Sequence, residues 1–366
     1  MDLPDPAPGS LERAWLDVTG LPTGGAERLP VIVVEGGSPG PTAWVTAGVH
    51  GDEVTGVVAA QDVANAFAPA DGGADASGPL VDPADLRGRL VCVPVVNPAG
   101  LRRTTRHSYY GGEDPNRTFP DPTADSVGER TTQERVAERL YDAFADADLL
   151  LDLHTAQVNS IAYVIRHRVL YGERRDRETA EELADDLGRL TDALDLPTVV
   201  QYAPEEYVER GLHRSVAGAA LNGAGVPACT VELGSHSTVD DRTRAAGVAD
   251  VFRALVAFDA LDSVPDPVLE SDPATPDPVD FQVRRYRGPR VDAAGIVRPR
   301  VGPGDTVQAG DVVADVRTAN GEYQSSVTSD HDGYVLAHRT GVAVYENDAV
   351  AALAVRDEEP LVGERP

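Results

Sequence analysis

Four times between residues 44 and 232 a short apolar, β-rich run breaks straight into a polar residue. Residues 44–49 lead into His50-Gly51-Asp52-Glu53, residues 90–96 into Asn97-Pro98, residues 149–153 into His154, and residues 228–231 into Glu232. Stretches with helical spacing lie between these runs. Residues 54–67 follow the first. Residues 131–144 open with Thr131-x-x-Glu134, the pattern of a capping box, and repeat an apolar side chain at Val136, Leu140 and Phe144. Leu183, Leu187, Leu190 and Leu194 share one helical face, and residues 242–261 read as a further helix. With residues 31–34 as an early strand and 226–231 as a late one, the alternation over residues 30–258 predicts an α/β sandwich around a largely parallel or mixed sheet.

In an open α/β sheet, ligands bind beyond the carboxyl ends of the strands. One strand ending in a polar residue means little. Four of them delivering His50, Glu53, Asn97, His154 and Glu232 to that edge are hard to explain as satisfied core groups. A catalytic zinc takes imidazole nitrogens and a carboxylate and keeps one position open. His50, Glu53 and His154 make such a set. His50 and Glu53 are close enough in sequence to reach one ion, and Gly51 lets the chain turn between them. Taken alone, His50 reads as a surface or capping histidine, and His154 as a core histidine bonded to a neighbour. Asp52 reads as a solvated or capping acid. His107, His167, His213, His236, His331 and His338 lack the strand-end context, with His107 and His213 nearest to exceptions. Asp152 faces the same side of its strand as His154. It either holds the second ring nitrogen of that histidine or bonds a neighbouring loop.

Charge narrows the partners. Net charge is -28, and all 32 basic residues are arginine, because the chain contains no lysine. Such a surface repels nucleic acid. It is tolerable in concentrated salt, where at ~1 M the Debye length falls to about 3 Å; the expectation is a salt-rich cytoplasm. No apolar run approaches the ~20 residues that span a bilayer, and the first residues lack the basic and apolar regions of a signal peptide. Cys92 and Cys229 sit in apolar runs and read as buried free thiols of a reducing compartment.

A chain of 366 residues exceeds one ordinary core. Residues 1–263 form the expected catalytic domain, and residues 264–280, with five prolines among acids, a stiff solvated linker. Residues 281–366, rich in Val, Gly and turn signals, read as a small all-β domain.

Several of these strings resemble a known family. Residues 47–53, Ala-Gly-Val-His-Gly-Asp-Glu, are similar to the first zinc motif of the succinylglutamate desuccinylase/aspartoacylase family, which is related to zinc carboxypeptidases. Asn97-Pro98-Ala99-Gly100 and residues 114–120, Asp-Pro-Asn-Arg-Thr-Phe-Pro, resemble its substrate-binding stretch. Asp152-Leu153-His154-Thr155 resembles its second zinc motif, and Thr230-Val231-Glu232-Leu233-Gly234 its catalytic-glutamate motif. The order and broad spacing agree over roughly residues 25–260.

The resemblance implies a zinc-carboxypeptidase-like α/β/α sandwich with a mixed sheet. It implies one Zn²⁺ per chain on His50, Glu53 and His154, and Glu232 as general base and acid. Asn116 and Arg117 would bind a substrate carboxylate, with Arg214 as a further carboxylate-binding arginine. Arg106 would polarise the scissile carbonyl, with Arg102 and Arg103 as rivals. Residues 295–310 resemble the hammerhead of biotinyl and lipoyl carriers, but carrier function needs a lysine and none exists. The β domain is instead expected to cap the site. The implied activity is a deacylase for a small anionic N-acyl amino acid or related carboxylate. A carboxypeptidase is the alternative among enzymes, and a non-catalytic metal- or ligand-binding protein the alternative outside them. Glu232 argues against the latter, since holding zinc does not require it. Neither nucleic acid nor membrane is an expected partner, and homo-oligomerisation is left open.

Overall fold

The computed structural model describes residues 3–68, 79–123, 129–273, 275 and 277–366. In chain order it runs β1 (Ser10–Gly20), β2 (Ala26–Glu35), β3 (Ser38–Ala47), α1 (Val54–Asn65), β4 (Arg87–Val93), α2 (Pro98–Leu101), α3 (Thr132–Phe144), β5 (Leu149–Ala156), β6 (Ala162–Arg166), β7 (Val169–Tyr171), α4 (Arg177–Asp192), β8 (Thr198–Val200), α5 (Pro204–Glu209), α6 (Val216–Ala219), β9 (Ala228–Ser235) and α7 (Asp241–Ala257). A short helix, α8 (Asp266–Ser271), leads to β10 (Val283–Arg287), β11 (Gly295–Pro299), β12 (Thr306–Val307), β13 (Val312–Arg317), β14 (Tyr323–Thr328), β15 (Gly333–His338), β16 (Ala343–Val344), β17 (Ala351–Arg356) and β18 (Val362–Glu364).

One mixed sheet carries the strands in the order β1-β2-β4-β3-β5-β9-β6-β8-β10-β17-β15-β12. Its centre, β4-β3-β5-β9, is parallel. Helices α1, α4, α7 and α8 pack together on one side, and α3 and α6 on the other. Being covered on both faces explains the unbroken apolar runs: Val45, Leu90, Val91, Leu151, Leu153 and Val231 are buried. Parallel strands point their carboxyl ends the same way, so β3, β5 and β9 bring their polar residues to one edge.

The mixed α/β sandwich and the all-β C-terminal region expected from the sequence are both present. The capping box on α3 is formed: Thr131 Oγ1 accepts from Glu134 N, and Glu134 accepts from Thr131 N at 2.7 Å. Two expectations need correction. First, β5 and β9 do not stop before His154 and Glu232. They run on to Ala156 and Ser235, because each supplies the other with a ladder partner through Ala156↔Ser235. Second, the Pro-rich segment is not wholly a solvated linker. Asp266–Ser271 is helical, with Pro267 in its first turn, where a missing N–H costs nothing, and Val268 is buried. Residues 274 and 276 of that segment lie outside the described residues.

The C-terminal strands are joined firmly to the rest. β10 pairs with β8 at Arg284↔Val200 and with β17 along its length, so the large sheet continues into this region. Tyr163, Ile165 and Val199 share a small core with Val283, Tyr334, Leu336 and Ala354. A fully buried ion pair, Arg168 to Asp357 at 2.8 Å, ties the start of β7 to the C-terminal segment.

Candidate metal centre and active site

β3 ends at Ala47, and Gly48 turns the chain with φ +62°, a conformation that favours glycine. His50 follows. Gly51 has an ordinary φ; its role is close approach, since a Cβ there would lie 2.0 Å from Gly100 C. The short helix α2 thus abuts the turn after β3. Glu53 occupies the position just before α1, where a short polar side chain usually caps the helix. Its carboxylate makes no cap and points to two histidines instead.

One oxygen of Glu53 lies 2.7 Å from His50 Nδ1, and the other 2.7 Å from His154 Nδ1. The three candidate ligand atoms fall within 4.8 Å of one another, and all three residues are buried. The outward nitrogens are also engaged. His50 Nε2 is 2.9 Å from Asp114 Oδ1, and His154 Nε2 is 2.7 Å from Asp152 Oδ2. Asp152 also accepts from Thr46 Oγ1 on the adjacent strand, at 2.7 Å. It therefore braces the histidine and bonds a neighbour at once. Burial pushes the Glu53 carboxyl up, but His50 and His154 outweigh it and hold the group well below the usual range. Burial pushes His154 down, and Asp152 and Glu53 reverse that and raise it. This donor set fits zinc: two imidazoles and a carboxylate converge, and each imidazole is oriented by a second carboxylate.

Glu232 sits on β9 beside His154, its register partner on β5, and beside Tyr163 on β6. Its Oε2 is buried and has no hydrogen-bond partner among the described residues. Burial raises its pKa, with His154, Arg285 and Arg106 pulling it down and Glu53 pushing it further up. These residues line one cavity of about 730 Å³. A second cavity, of about 570 Å³ near the start of β3, contains none of them.

The remaining candidates separate. Arg106 reaches the cavity and bonds Glu53 at 3.1 Å and Asp114 at 3.0 Å. Its rivals do not line it: Arg102 pairs with Glu27 at 3.1 Å, and Arg103 lies over the Tyr109 ring. Asn116 and Arg117 line the cavity from a single 3-10 turn that Asp114 caps. Asn116 Oδ1 accepts from Val216 N, and its Nδ2 lies 3.3 Å from His154 Nε2. Arg117 donates through Nε to the carbonyl of Arg210 and through Nη1 to that of Asn116. Arg214 is not brought to the cavity; its Nε donates to Phe119 O at 3.1 Å. Asn97 is used structurally, accepting from Gly100 N and donating to Val49 O.

Three contributors escaped sequence reasoning. Asp114 stood inside a recognised string, and its place before Pro-Asn-Arg was the available signal. His167, read as an ordinary histidine, lines the cavity, bonded to Tyr207 and Thr230, and burial holds it neutral at a pKa of about 3. Arg285 comes from β10, and no local pattern marked it.

A profile of the succinylglutamate desuccinylase/aspartoacylase catalytic domain matches residues 39–257, more than half of the chain. The chain is 26% identical over 354 residues to the N-alpha-acetyl-L-2,4-diaminobutyric acid deacetylase of Halomonas elongata, covering 94% of this chain and 87% of that one. Among solved structures it resembles a succinylglutamate desuccinylase/aspartoacylase from Rhodobacter sphaeroides, with TM-score 0.73, 20% identity and coverage of 98% and 99%. It also resembles the product-bound ectoine utilization protein EutE (DoeB) from Ruegeria pomeroyi, with TM-score 0.67, 21% identity and coverage of 94% and 95%. With the profile match falling on the stretch that carries the histidines, Glu53 and Glu232, the chain belongs to the succinylglutamate desuccinylase/aspartoacylase family.

Proposed function

We propose that this protein is a zinc-dependent deacylase that removes the acyl group from a small N-acyl amino acid. The observation that carries the reading is the pairing of a His50-Glu53-His154 cluster able to hold a metal with the buried Glu232 carboxylate on the next strand, whose Oε2 has no hydrogen-bond partner among the described residues. Zinc held by those ligands would supply Lewis acidity toward the carbonyl and acidify a water. Glu232 takes the proton of the attacking water. Its raised pKa keeps it basic enough for that and then acidic enough to return the proton to the leaving nitrogen. The C–N bond breaks, giving a carboxylic acid and an amino acid.

Arg106, anchored by Glu53 and Asp114, presents its guanidinium toward the carbonyl oxygen, where charge develops. Arg117 and Asn116 hold the carboxylate of the substrate, arginine through the bidentate geometry that suits it. Tyr286, Leu336, Ala337, Thr340 and Leu353 of the C-terminal region wall the cavity, which favours a compact substrate over a peptide. The test is amine release from a panel of N-acyl amino acids, N-acetyl-2,4-diaminobutyrate among them, by zinc-loaded protein. Release of free amino acid supports the reading. Silence across the panel, or cleavage only of peptides, overturns it.

A further inference from the structure

Arg106 reaches the cavity from an exposed stretch of chain. Residues 102–107 are all exposed, and the Arg106 side chain is 46% exposed. Burial therefore does little to hold this stretch, and its ends are tied instead. Glu27, near the start of β2, is 0% exposed. Its carboxylate accepts from Arg102 in bidentate form, Nη2 to Oε1 at 3.1 Å and Nη1 to Oε2 at 3.3 Å. Oε2 also accepts from the Tyr110 hydroxyl. One buried carboxylate thus bridges residues 102 and 110, and Arg106 stands midway between them. Arg102 Nη1 donates further to Tyr109 Oη at 3.0 Å, and the Tyr109 and Tyr110 ring centroids lie 4.7 Å apart.

A carboxylate withdrawn from water is unfavourable for the fold unless it is paired. The position of this one accounts for the pairing. β2 is antiparallel to β4, and β4 is parallel to β3, so the first residues of β2 lie at the edge where β3 and β4 end. Glu27 is therefore beside the site but outside it: Glu27, Arg102 and Tyr110 do not line the cavity that Arg106 enters. At its midpoint the loop meets the candidate metal centre. Arg106 O accepts from Gly51 N at 3.4 Å, and the guanidinium bonds Glu53 and Asp114. A half-exposed guanidinium on an exposed stretch is placed no better than the ends of that stretch. For a group that stabilises developing charge, a misplacement of ~1 Å can cost about 10²-fold in rate.

We propose that Glu27 is a positioning residue for Arg106: acting through Arg102 and Tyr110, it closes the base of the 102–110 loop and so sets the Arg106 guanidinium against the reacting carbonyl. The consequence for Arg106 rests on the deacylase reading, whereas the closure of the loop does not depend on turnover. Arg102 then serves the reaction without reaching the substrate. Its planar fork matches both carboxylate oxygens of Glu27, which an ammonium does not reproduce.

The experiment has two arms. Arg103 and Arg106 make the loop a target for trypsin. In the first arm, zinc-loaded wild type, Glu27→Gln and Tyr110→Phe, all with native circular dichroism, are digested briefly and the fragments identified by mass. Cleavage after Arg103 and Arg106 should quicken about tenfold or more in Glu27→Gln, and less in Tyr110→Phe, which keeps the Arg102 pair. Cleavage elsewhere in the chain should hold its wild-type rate. In the second arm, the N-acyl amino acid that the wild type cleaves best is given to Glu27→Gln, Arg102→Lys, Arg106→Gln and the Glu27→Gln/Arg106→Gln double variant. Glu27→Gln should lose about tenfold or more in kcat, with KM and zinc content little changed, and Arg102→Lys should be intermediate. The double variant should be no slower than Arg106→Gln, because Glu27 acts through Arg106. Should Glu27→Gln fail to fold, Tyr110→Phe replaces it in both arms, with changes of the same sign. Faster loop digestion with no amide cleaved by any protein would remove the deacylase reading and leave the loop closure. Unchanged loop digestion, an unchanged kcat in Glu27→Gln, or a kcat loss that persists in full in the Arg106→Gln background would overturn the proposal while hydrolysis stands.

Discussion

His154 and Glu232 are register partners on the parallel strands β5 and β9. One ladder therefore fixes the spacing between a candidate metal ligand and the candidate proton acceptor. Both strands are buried within a two-sided sandwich, so this spacing is set by the central ladder of the sheet. Glu53, by contrast, reaches the site from the start of α1 and touches both histidines. The strands set the distances, and the loop residues complete the donor set.

Removing a ligand should remove the metal. Metal analysis of the wild type is expected to give one zinc per chain, and His154→Ala should lose it. Asp152→Asn weakens the grip on His154 Nε2 without touching the ligand set, and zinc affinity should fall by about 10- to 100-fold. Full zinc retention in His154→Ala would remove the assignment.

Arg117→Ala should raise KM for carboxylate substrates more than it lowers kcat. Arg117→Lys should recover only part of the loss, because an ammonium does not reproduce the planar fork. Equal hydrolysis by the wild type of an N-acyl amino acid and its neutral amide would contradict the role of Arg117.

Much of this site is legible in the sequence because each candidate ligand follows or interrupts a buried apolar strand. In β5 the run Leu149-Leu150-Leu151-Asp152-Leu153-His154 places two polar residues among hydrophobes, and polar residues in that setting need partners. Strands β1, β6, β7 and β8 lack a comparable contrast and give no such signal; β7 and β8 have three residues each. Arg285 is out of reach for a different reason. Its place in the cavity depends on β10 lying beside β8 through Arg284↔Val200, a pairing between distant parts of the chain that leaves no local period. The sequence marks Gly51 for its backbone freedom, whereas the packing of its α-carbon against Gly100 is a tertiary fact.

Stability should respond to pH through Asp250. Burial raises its pKa from 3.8 to about 6, against the pull of the Asp195 N–H and Arg253. A carboxyl whose pKa is higher in the folded than in the unfolded state stabilises the fold while protonated. That contribution is complete below about pH 4 and lost as pH rises through about 6. Asp250→Asn cannot ionise, so its stability relative to wild type should improve by about 3 kcal/mol between pH 4 and pH 7 in denaturant titrations. A difference that stays flat over that interval would show that Asp250 is not ionising at a cost.

Salt should stabilise the protein. With a net charge of -28 and no lysine, the surface repels itself in dilute buffer. Raising KCl toward ~1 M shortens the Debye length to about 3 Å and removes the long-range part of that repulsion. The melting temperature followed by circular dichroism should climb across this range. Greatest stability in dilute buffer would contradict a salt-adapted surface.

The most direct test of the central claim is the zinc content and turnover of Glu232→Gln on whichever N-acyl amino acid the wild type cleaves. Gln is nearly isosteric and Glu232 stands outside the candidate ligand cluster, so the variant should keep one zinc per chain and its folded spectrum. General acid–base groups typically contribute ~10²- to 10⁴-fold, and the proposed mechanism assigns both proton transfers to this one residue. Turnover is therefore expected to fall by at least about 10²-fold with the metal in place. A zinc-replete Glu232→Gln that hydrolyses its substrate at a near-wild-type rate would contradict the account.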